Sequence, residues 1–244
     1  MEGKNMNISG TGTIKSDIYD EEIHISGSGR IEGDVRCQAI HASGAVFSSG
    51  NVECSGGIHI SGAGRFGGDV SCSEMKVSGA VSAENLKVRN DVRISGTIKT
   101  SGSVKCNEAK ISGKAECASF EAENFKSSGE FRIDGLLNVG SADIKLSRGF
   151  GKCTAGSIGG TTIRVEKSDD SAIRLFNVFS AGKYAALTVT ESIEGDEIYL
   201  ENTECPLVIG KRVFIGEGCK IDRIQYTEIC KANINSHVGD VRKI

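Results

Sequence analysis

Hydrophobic and polar residues alternate in short runs along most of this chain. Examples are Ile23-His24-Ile25, Val35-Arg36-Cys37 and Ile58-His59-Ile60. Alternation with a period of two is typical of β-strands that turn one face inward. No stretch shows the i, i+3, i+4, i+7 spacing of an amphipathic helix. Gly, Ser or Asn, which tolerate tight bends, follow each run. The pattern predicts many short strands joined by bends.

The alternating runs belong to an internal repeat. A Ser-Gly pair closes each unit, and the pairs recur at a nearly constant step of about 17 residues. The pairs are Ser9-Gly10, Ser26-Gly27, Ser43-Gly44, Ser61-Gly62, Ser78-Gly79, Ser95-Gly96, Ser112-Gly113 and Ser128-Gly129. Helical repeats need about 33–47 residues, so the period excludes them. Three short strands with their bends fit into one such step.

The repeat predicts an all-β fold, a single-chain β-helix (solenoid) with triangular coils of about 17 residues. Neighbouring coils pair at about 4.8 Å, so like residues stack into ladders. We expect residues 1–6 to form a short tail and residues 7–135 to form regular coils. Residues 136–244 keep strand-like alternation but lose the register, and we interpret them as a less regular continuation of the β-helix. A separate small β domain is the alternative for that half.

Composition supports a slender core and excludes several classes of protein. The 244 residues include 32 Gly, one Pro and no Trp, and aromatic residues make up 5%. The net charge of −3 shows no basic footprint, so we expect no nucleic-acid partner. The segment Met1–Met6 has no apolar signal region, and no stretch reaches the roughly 18 apolar residues of a membrane span. We therefore expect a cytoplasmic protein whose nine cysteines are reduced.

Four of the cysteines share one position of the repeat. The first three follow one another at single steps of the repeat, the fourth comes two steps later, and Arg89 takes the position in the coil that they skip. A linear stack does not provide the tetrahedral thiolate set of a zinc site. We therefore predict a core cysteine ladder in which the thiols fill space as small apolar groups. Its members are Cys37, Cys54, Cys72 and Cys106.

The histidines do not form a catalytic or metal-binding group at the level of sequence. His24 and His59 are expected to point outward two coils apart, about 10 Å, which is too far to share a metal ion. His41 aligns with Lys76 and Lys110 of later copies, as a solvated position would. The segment Gly62–Gly67 matches G-x-G-x-x-G, but no helix is expected after it. We predict no catalytic residues, no metal and no cofactor.

The ends of a solenoid expose unpaired strand edges, which recruit further strands unless they are capped. No amphipathic capping helix is visible near either terminus. We therefore predict end-to-end assembly into a filament without nucleotide. The expected polymer-end contacts are the apolar side chains of the outermost coils, namely Ile8, Ile14, Ile18, Ile221 and Ile224.

The pattern Ile-Ser-Gly-x-Gly-x-Ile-x-Gly-Asp-Val at residues 25–35, with a close copy at 60–70, resembles the bactofilin family of bacterial polymer-forming cytoskeletal proteins. The resemblance implies a right-handed triangular β-helix that stacks into non-polar filaments without nucleotide. It also implies a scaffold for cell shape, cell-wall enzymes or motility, whose partners are other copies of the chain and cell-wall or motility proteins. Members often reach the inner face of the membrane through an apolar N-terminal segment, which Met1–Met6 does not provide, so we expect membrane association through partners.

The alternative comes from another class of protein. The segment Val208–Ile221 resembles the hexapeptide repeats of left-handed β-helix acyltransferases, which form trimers and use a catalytic His between subunits. Those enzymes keep an 18-residue coil, which is longer than the dominant step of this chain. A scaffold is therefore the favoured interpretation of this sequence, and we expect no enzyme activity.

Overall fold

The computed structural model describes residues 5–18, 22–149, 151–168 and 184–244, with the backbone alone for residues 16–18. The chain divides into two units, Met1–Glu121 and Ala122–Ile244. Strands and bends make up both units, and the described residues contain no helix. The predicted change of regularity at residue 135 is a separate boundary and stays a prediction.

The first unit is a run of short strands that obey the alternation seen in the sequence. In chain order these are β1 (Met6–Ile8), β2 (Thr11–Ile18), β3 (Glu22–Ile25), β4 (Ser28–Cys37), β5 (Ala39–Ala42), β6 (Ala45–Ser48), β7 (Val52–Cys54), β8 (Gly57–Ile60), β9 (Ala63–Phe66), β10 (Val70–Cys72), β11 (Glu74–Val77), β12 (Ala80–Ala83), β13 (Leu86–Val88), β14 (Asp91–Ile94), β15 (Thr97–Thr100), β16 (Ser103–Lys105), β17 (Glu108–Ile111), β18 (Lys114–Cys117) and β19 (Ser119–Ser127).

From β5 to β16 three short strands make one coil, and each strand pairs in parallel with the strand three places later. At the longer strands a partner lies two places later, as β4 does for β2. Strand β8 pairs with β11, β9 with β12 and β10 with β13. The register is one residue to one residue, for example Ile60 opposite Val77. Parallel strands need a connection that returns the chain to its starting edge, and here the other two strands of the coil provide it. The predicted β-solenoid with coils of about 17 residues is confirmed.

The core of this unit consists of vertical columns of inward-facing side chains. One column consists of the second residue of β3 and of each strand stacked on it, namely β5, β8, β11, β14 and β17. These residues are Ile23, Ile40, Ile58, Met75, Val92 and Ala109. All of these side chains are buried. Small and β-branched residues suit this column because side chains from opposite walls of a coil must share one narrow interior. A Trp side chain is too large for that space, which explains why the chain has none.

Two kinds of bend keep the coils aligned. At the Ser-Gly bend the serine N–H donates to a backbone carbonyl of the preceding coil, as from Ser78 to Ile60 O at 2.9 Å. At a second bend an Asn or Asp side chain accepts from the next coil, as Asn51 Oδ1 does from the Asp69 N–H at 2.9 Å. Hydrogen bonding therefore continues from coil to coil through the bends, so the backbone groups there have partners.

The second unit repeats the same parallel pairing with longer strands and unequal coils. Its strands are β20 (Glu130–Leu146), β21 (Cys153–Lys167), β22 (Leu187–Val189), β23 (Ser192–Leu200), β24 (Thr203–Ile215), β25 (Lys220–Ala232) and β26 (His237–Lys243). One core column passes through Ile158, Ile193, Val208, Ile224 and Val241. The first step of this column is the longest, and residues 169–183 within it lie outside the described part of the chain.

The prediction that Arg89 occupies the ladder position skipped by the cysteines is wrong by one residue. Cys72 pairs with Val88, which is buried, while Arg89 follows the end of β13. The chain reaches Val88 one position early, because the bend before β13 is shorter by one than the bend before β10. A one-residue shift exchanges the inward and outward faces of a strand, so the arginine stays outside the core.

Candidate self-association site

The edge of β26 is an open strand edge in the second unit. Strand β26 pairs in parallel with β25, and no other described strand lies beside it. The His237 N–H donates to Cys219 O at 2.9 Å, and the Ile244 N–H donates to Tyr226 O at 2.9 Å. Alternate peptide groups point the other way, toward the open side. Such groups form a template for another strand.

The core columns of the second unit end at this edge with apolar side chains that are partly exposed. Val208 and Ile224 are fully buried, whereas Val241, next in the same column, is 46% exposed. In a neighbouring column Ile221 is fully buried and Val238 above it is only half-buried. The exposure at the edge therefore marks where the next coil of a column would lie.

Strand β26 covers only the first part of β25. Its register runs from Lys220 opposite His237 to Tyr226 opposite Lys243. The rest of β25 carries Ile229 and Cys230, and the turn beyond it carries Ile234, which is 96% exposed. Cys230 lies opposite the buried Val213 and Ile229 lies opposite the exposed Arg212, so of these two only Cys230 continues a core column.

Charged side chains border the apolar edge. Asp240 pairs with Arg242 at 2.7 Å and lies 3.6 Å from Arg223 of β25. All three side chains are partly exposed, so each pair contributes little to stability. Their alternating signs place a polar rim around Val238 and Val241, which is the usual composition of a protein interface.

The first strands of the other unit also have open edges. Strand β1 pairs only with β3, and β2 only with β4, among the residues that the structure describes. Ile8 is half-buried beside Ile25, whereas Ile14 is buried over Ile31 with 2% exposed. The Ile18 backbone lies opposite Arg36, but its side chain is outside the described residues.

The predicted end contacts therefore occupy different environments. Ile221 and Ile224 are buried under β26, one strand inside the edge. The edge itself is formed by Val238 and Val241, which the sequence analysis missed. Their signal was present, since each lies one repeat step after an isoleucine that was named. A role of any of these side chains in polymer contacts stays a prediction.

The predicted cysteine ladder lies in the core of the first unit. Cys37, Cys54, Cys72 and Cys106 are all buried, with at most 8% of each residue exposed. Burial raises the pKa of Cys72 and of Cys106 to about 12. These two thiols are thus neutral at physiological pH, as expected of groups that fill space.

His24, His41 and His59 form a single outward row rather than two separate positions. His41 pairs in register with both neighbours. The His24 and His41 rings are stacked with centroids 5.0 Å apart, and the His41 and His59 rings meet edge to face at 4.9 Å. The three histidines are spaced by the same steps as the Ser-Gly pairs beside them, a signal that could have revealed this row. Lys76 continues it in the next coil.

The outer histidines of the row are held by carboxylates. His24 Nε2 lies 3.0 Å from Glu22 Oε2, and His59 Nε2 lies 3.0 Å from Glu74 Oε1. Desolvation, together with the neighbouring His59 and His24, lowers the pKa of His41, and Lys76 acts in the same direction while Glu22 opposes it. The central imidazole is therefore harder to protonate in the folded chain than in the unfolded chain.

This row predicts a pH-dependent stability. The pKa of folded His41 lies below its ordinary value of about 6.5, so its contribution is complete above that pH and declines as the pH falls below it. We expect the melting temperature to be lower at pH 5.5 than at pH 7.5, and His41→Gln to reduce that difference. His237→Gln, an exposed histidine of β26, is the matched control and should keep the difference. An unchanged pH dependence in His41→Gln would contradict this assignment.

The described residues offer no group of three or more His, Cys, Asp or Glu arranged to hold a metal ion. Gly62–Gly67 lies at a Ser-Gly bend and in β9, and the next element is strand β10. The segment thus lacks the helix N-terminus that binds a pyrophosphate. Among the described residues no helix is long and apolar enough to cross a membrane.

Comparison with known proteins agrees with the repeat. The family model of bactofilins, described as polymer-forming cytoskeletal, matches residues 2–78 and 43–121. Two Bacillus subtilis proteins are also similar. The uncharacterized protein YhbF is 38% identical over 110 residues, which is 45% of this chain and 42% of that protein. The uncharacterized protein YhbE is 35% identical over 98 residues, or 39% and 38% of the respective chains.

Each of these similarities covers only part of the two chains compared. The chain covers less than half of either Bacillus subtilis relative. No solved structure matches significantly. The matched residues of the family model coincide with the regular coils of the first unit, where the Ser-Gly bends recur.

Proposed function

This chain belongs, through residues 2–121, to the bactofilin family of polymer-forming cytoskeletal proteins, and on that premise we propose that it assembles end to end into filaments without bound nucleotide. The filament would act as a structural scaffold in the cytoplasm that organises cell shape, cell-wall enzymes or motility. Recruitment to the inner face of the membrane would occur through partner proteins. The proposal includes no catalytic step.

The observation that carries the proposal is the open apolar edge at β26. A second copy placed on that edge would cover Val238 and Val241 and supply partners for the outward peptide groups of the strand. Burial of apolar surface contributes about 25 cal/mol per Å², and parallel or antiparallel pairing adds hydrogen bonds that a solvated edge lacks. Because the matching family is polymer-forming, the occupant we propose is another copy of this chain.

The lateral rows support assembly along the coil axis rather than side by side. Opposite charges pair along these rows, as Arg36 does with Glu53 at 2.8 Å and Lys105 with Glu121 at 2.6 Å. Paired, solvated charges give a surface little tendency to associate with a copy of itself. The open β26 edge differs from these rows because it carries the partly exposed Val238 and Val241.

Negative-stain electron microscopy of the purified, reduced chain tests this proposal. We expect unbranched filaments a few nanometres wide in buffer without nucleotide or metal, and the same filaments after addition of ATP or GTP. Discrete particles at all concentrations, with the β signal in circular dichroism intact, would contradict the proposal.

A further inference from the structure

Cys37 and Cys54 differ from the rest of the cysteine ladder in their mutual contact. They are the last residues of β4 and β7, and they are register partners on neighbouring coils. Their Sγ atoms lie 3.0 Å apart. Both side chains face the core, with 6% and 3% of each residue exposed.

The backbone geometry of this pair matches the requirements of a disulfide. Neighbouring parallel strands lie about 4.8 Å apart, and disulfides join residues whose Cα atoms are about 4.4–6.8 Å apart. Register partners on one face point in the same direction, so the two sulfurs meet without a change of backbone. We propose that Cys37 and Cys54 are a site of reversible disulfide formation by hydroperoxides, a modification separate from the scaffold function.

The other buried thiols of the ladder lack this short sulfur contact among the described contacts. Cys72 follows Cys54 in the ladder, because β10 pairs with β7 through Val70 opposite Val52 and Ser71 opposite Glu53, but the Cys54 and Cys72 sulfurs make no mutual hydrogen bond there. Val88 separates Cys72 from Cys106 in the ladder. The structure thus selects one pair among the four cysteines.

The contact also distinguishes the roles of the two sulfurs. The hydrogen bond from Cys54 lowers the pKa of Cys37, whereas the same bond and burial raise the pKa of Cys54. Cys37 is followed directly by the bend at Gln38 and is the more exposed of the pair. Within the pair, Cys37 is therefore the sulfur that forms a thiolate more readily.

The chemistry balances with a hydroperoxide as oxidant. The Cys37 thiolate attacks one peroxide oxygen, the O–O bond breaks, and the alcohol or water leaves with the former thiol proton. The resulting Cys37 sulfenic acid is attacked by the Cys54 sulfur. The S–O bond breaks, the S–S bond forms, and water leaves with the Cys54 proton. Two thiols lose two electrons and two protons, and the hydroperoxide accepts them.

Thiol counting and peptide mapping test the site in the full chain. The reduced protein is treated with hydrogen peroxide, freed of oxidant, denatured and alkylated with N-ethylmaleimide. The untreated chain should take up a label on each of its nine cysteines, and the treated chain should take up two fewer. Trypsin cuts after Arg36 and Arg65, so residues 37–65 form one peptide that contains both thiols. That peptide should carry no label and lack two hydrogens.

Glu53 provides a second, independent readout. Cleavage after Glu53 separates Cys37 from Cys54 in the reduced peptide, but the two fragments should stay joined after peroxide until a reductant is added. Retention of all nine labels, a sulfinic acid at Cys37, or a cross-link from peptide 37–65 to the Cys72 peptide 66–76 would each overturn the proposal.

Two serine variants provide the controls. Cys72→Ser should still lose two labels on peroxide treatment, because its ladder neighbours are unchanged. Cys54→Ser should lose the disulfide and accumulate a Cys37 sulfenic acid that dimedone traps. Far-UV circular dichroism checks that each variant is folded, and the wild-type peptide map decides the question if Cys54→Ser does not fold.

Discussion

Replacing Gly79 with alanine should abolish the stable fold of the first unit. A Cβ atom at this position would lie 1.8 Å from Gly62 O and 2.5 Å from Ser61 O, both of them backbone atoms of the preceding coil. No side chain can move aside to accept it, so the two coils must separate and break the hydrogen bonds at the bend. Overpacking typically costs about 1–3 kcal/mol and occasionally more, and so close an approach to a backbone oxygen belongs at the upper end of that range. Thermal melts followed by circular dichroism should show a large fall in melting temperature or loss of the β signal.

Gly10→Ala is the matched control for this prediction. Gly10 occupies the same Ser-Gly bend in the first coil, yet a Cβ there would meet no described atom within 4 Å. Its effect should be within about 0.5 kcal/mol, as for other surface substitutions. Similar losses in the two variants would show that the bend glycines act through backbone conformation instead of close approach of the coils.

Replacing Val241 with lysine should block assembly while leaving the chain folded. In the isolated chain this side chain is 46% exposed, so a lysine there can reach water. In the proposed contact a second copy covers the site, and burial of an unpaired ammonium group is costly. We expect the critical concentration for polymer to rise at least about 100-fold, which corresponds to about 2.7 kcal/mol at about 1.4 kcal/mol per tenfold change. Pelleting across a concentration series measures it.

Leu136→Lys tests whether that effect belongs to the edge. Leu136 is also 46% exposed, but it lies in β20, which pairs with β21 through Leu136 and Ser157 and is not an edge of the described sheet. The same gain of charge and loss of apolar surface should leave the critical concentration near that of the parent chain. Equal inhibition by both substitutions would indicate a general effect of charge, and no inhibition by Val241→Lys would remove the β26 edge from the polymer contact.

Much of the fold can be predicted from the sequence because a solenoid repeats the structure of one coil along the chain. The Ser-Gly steps fix the coil length, and the alternation in segments such as Ile58–Ile60 fixes which side chains face inward. The error at Arg89 shows the limit of this reasoning. A bend can be one residue shorter without any change in the surrounding pattern. The inward and outward positions of the strand that follows are then shifted by one residue relative to the repeat.

The candidate site is harder to predict because it depends on which described strand has no second described partner. Ile221 and Val241 belong to similar apolar positions in the sequence, and only the pairing of β25 with β26 shows that the first is covered and the second is open. Contacts between coils pose the same problem. The row of His24, His41 and His59 and the Cys37–Cys54 contact require an exact register from one coil to the next.

X-ray fibre diffraction from aligned filaments is the most direct test of end-to-end assembly. Coils stacked along the filament axis place the strand spacing of about 4.8 Å parallel to that axis. The account predicts a strong reflection near about 4.8 Å on the meridian, lost together with the filaments in Val241→Lys. The same reflection on the equator would mean that the chains associate side by side, and end-to-end stacking would then be wrong.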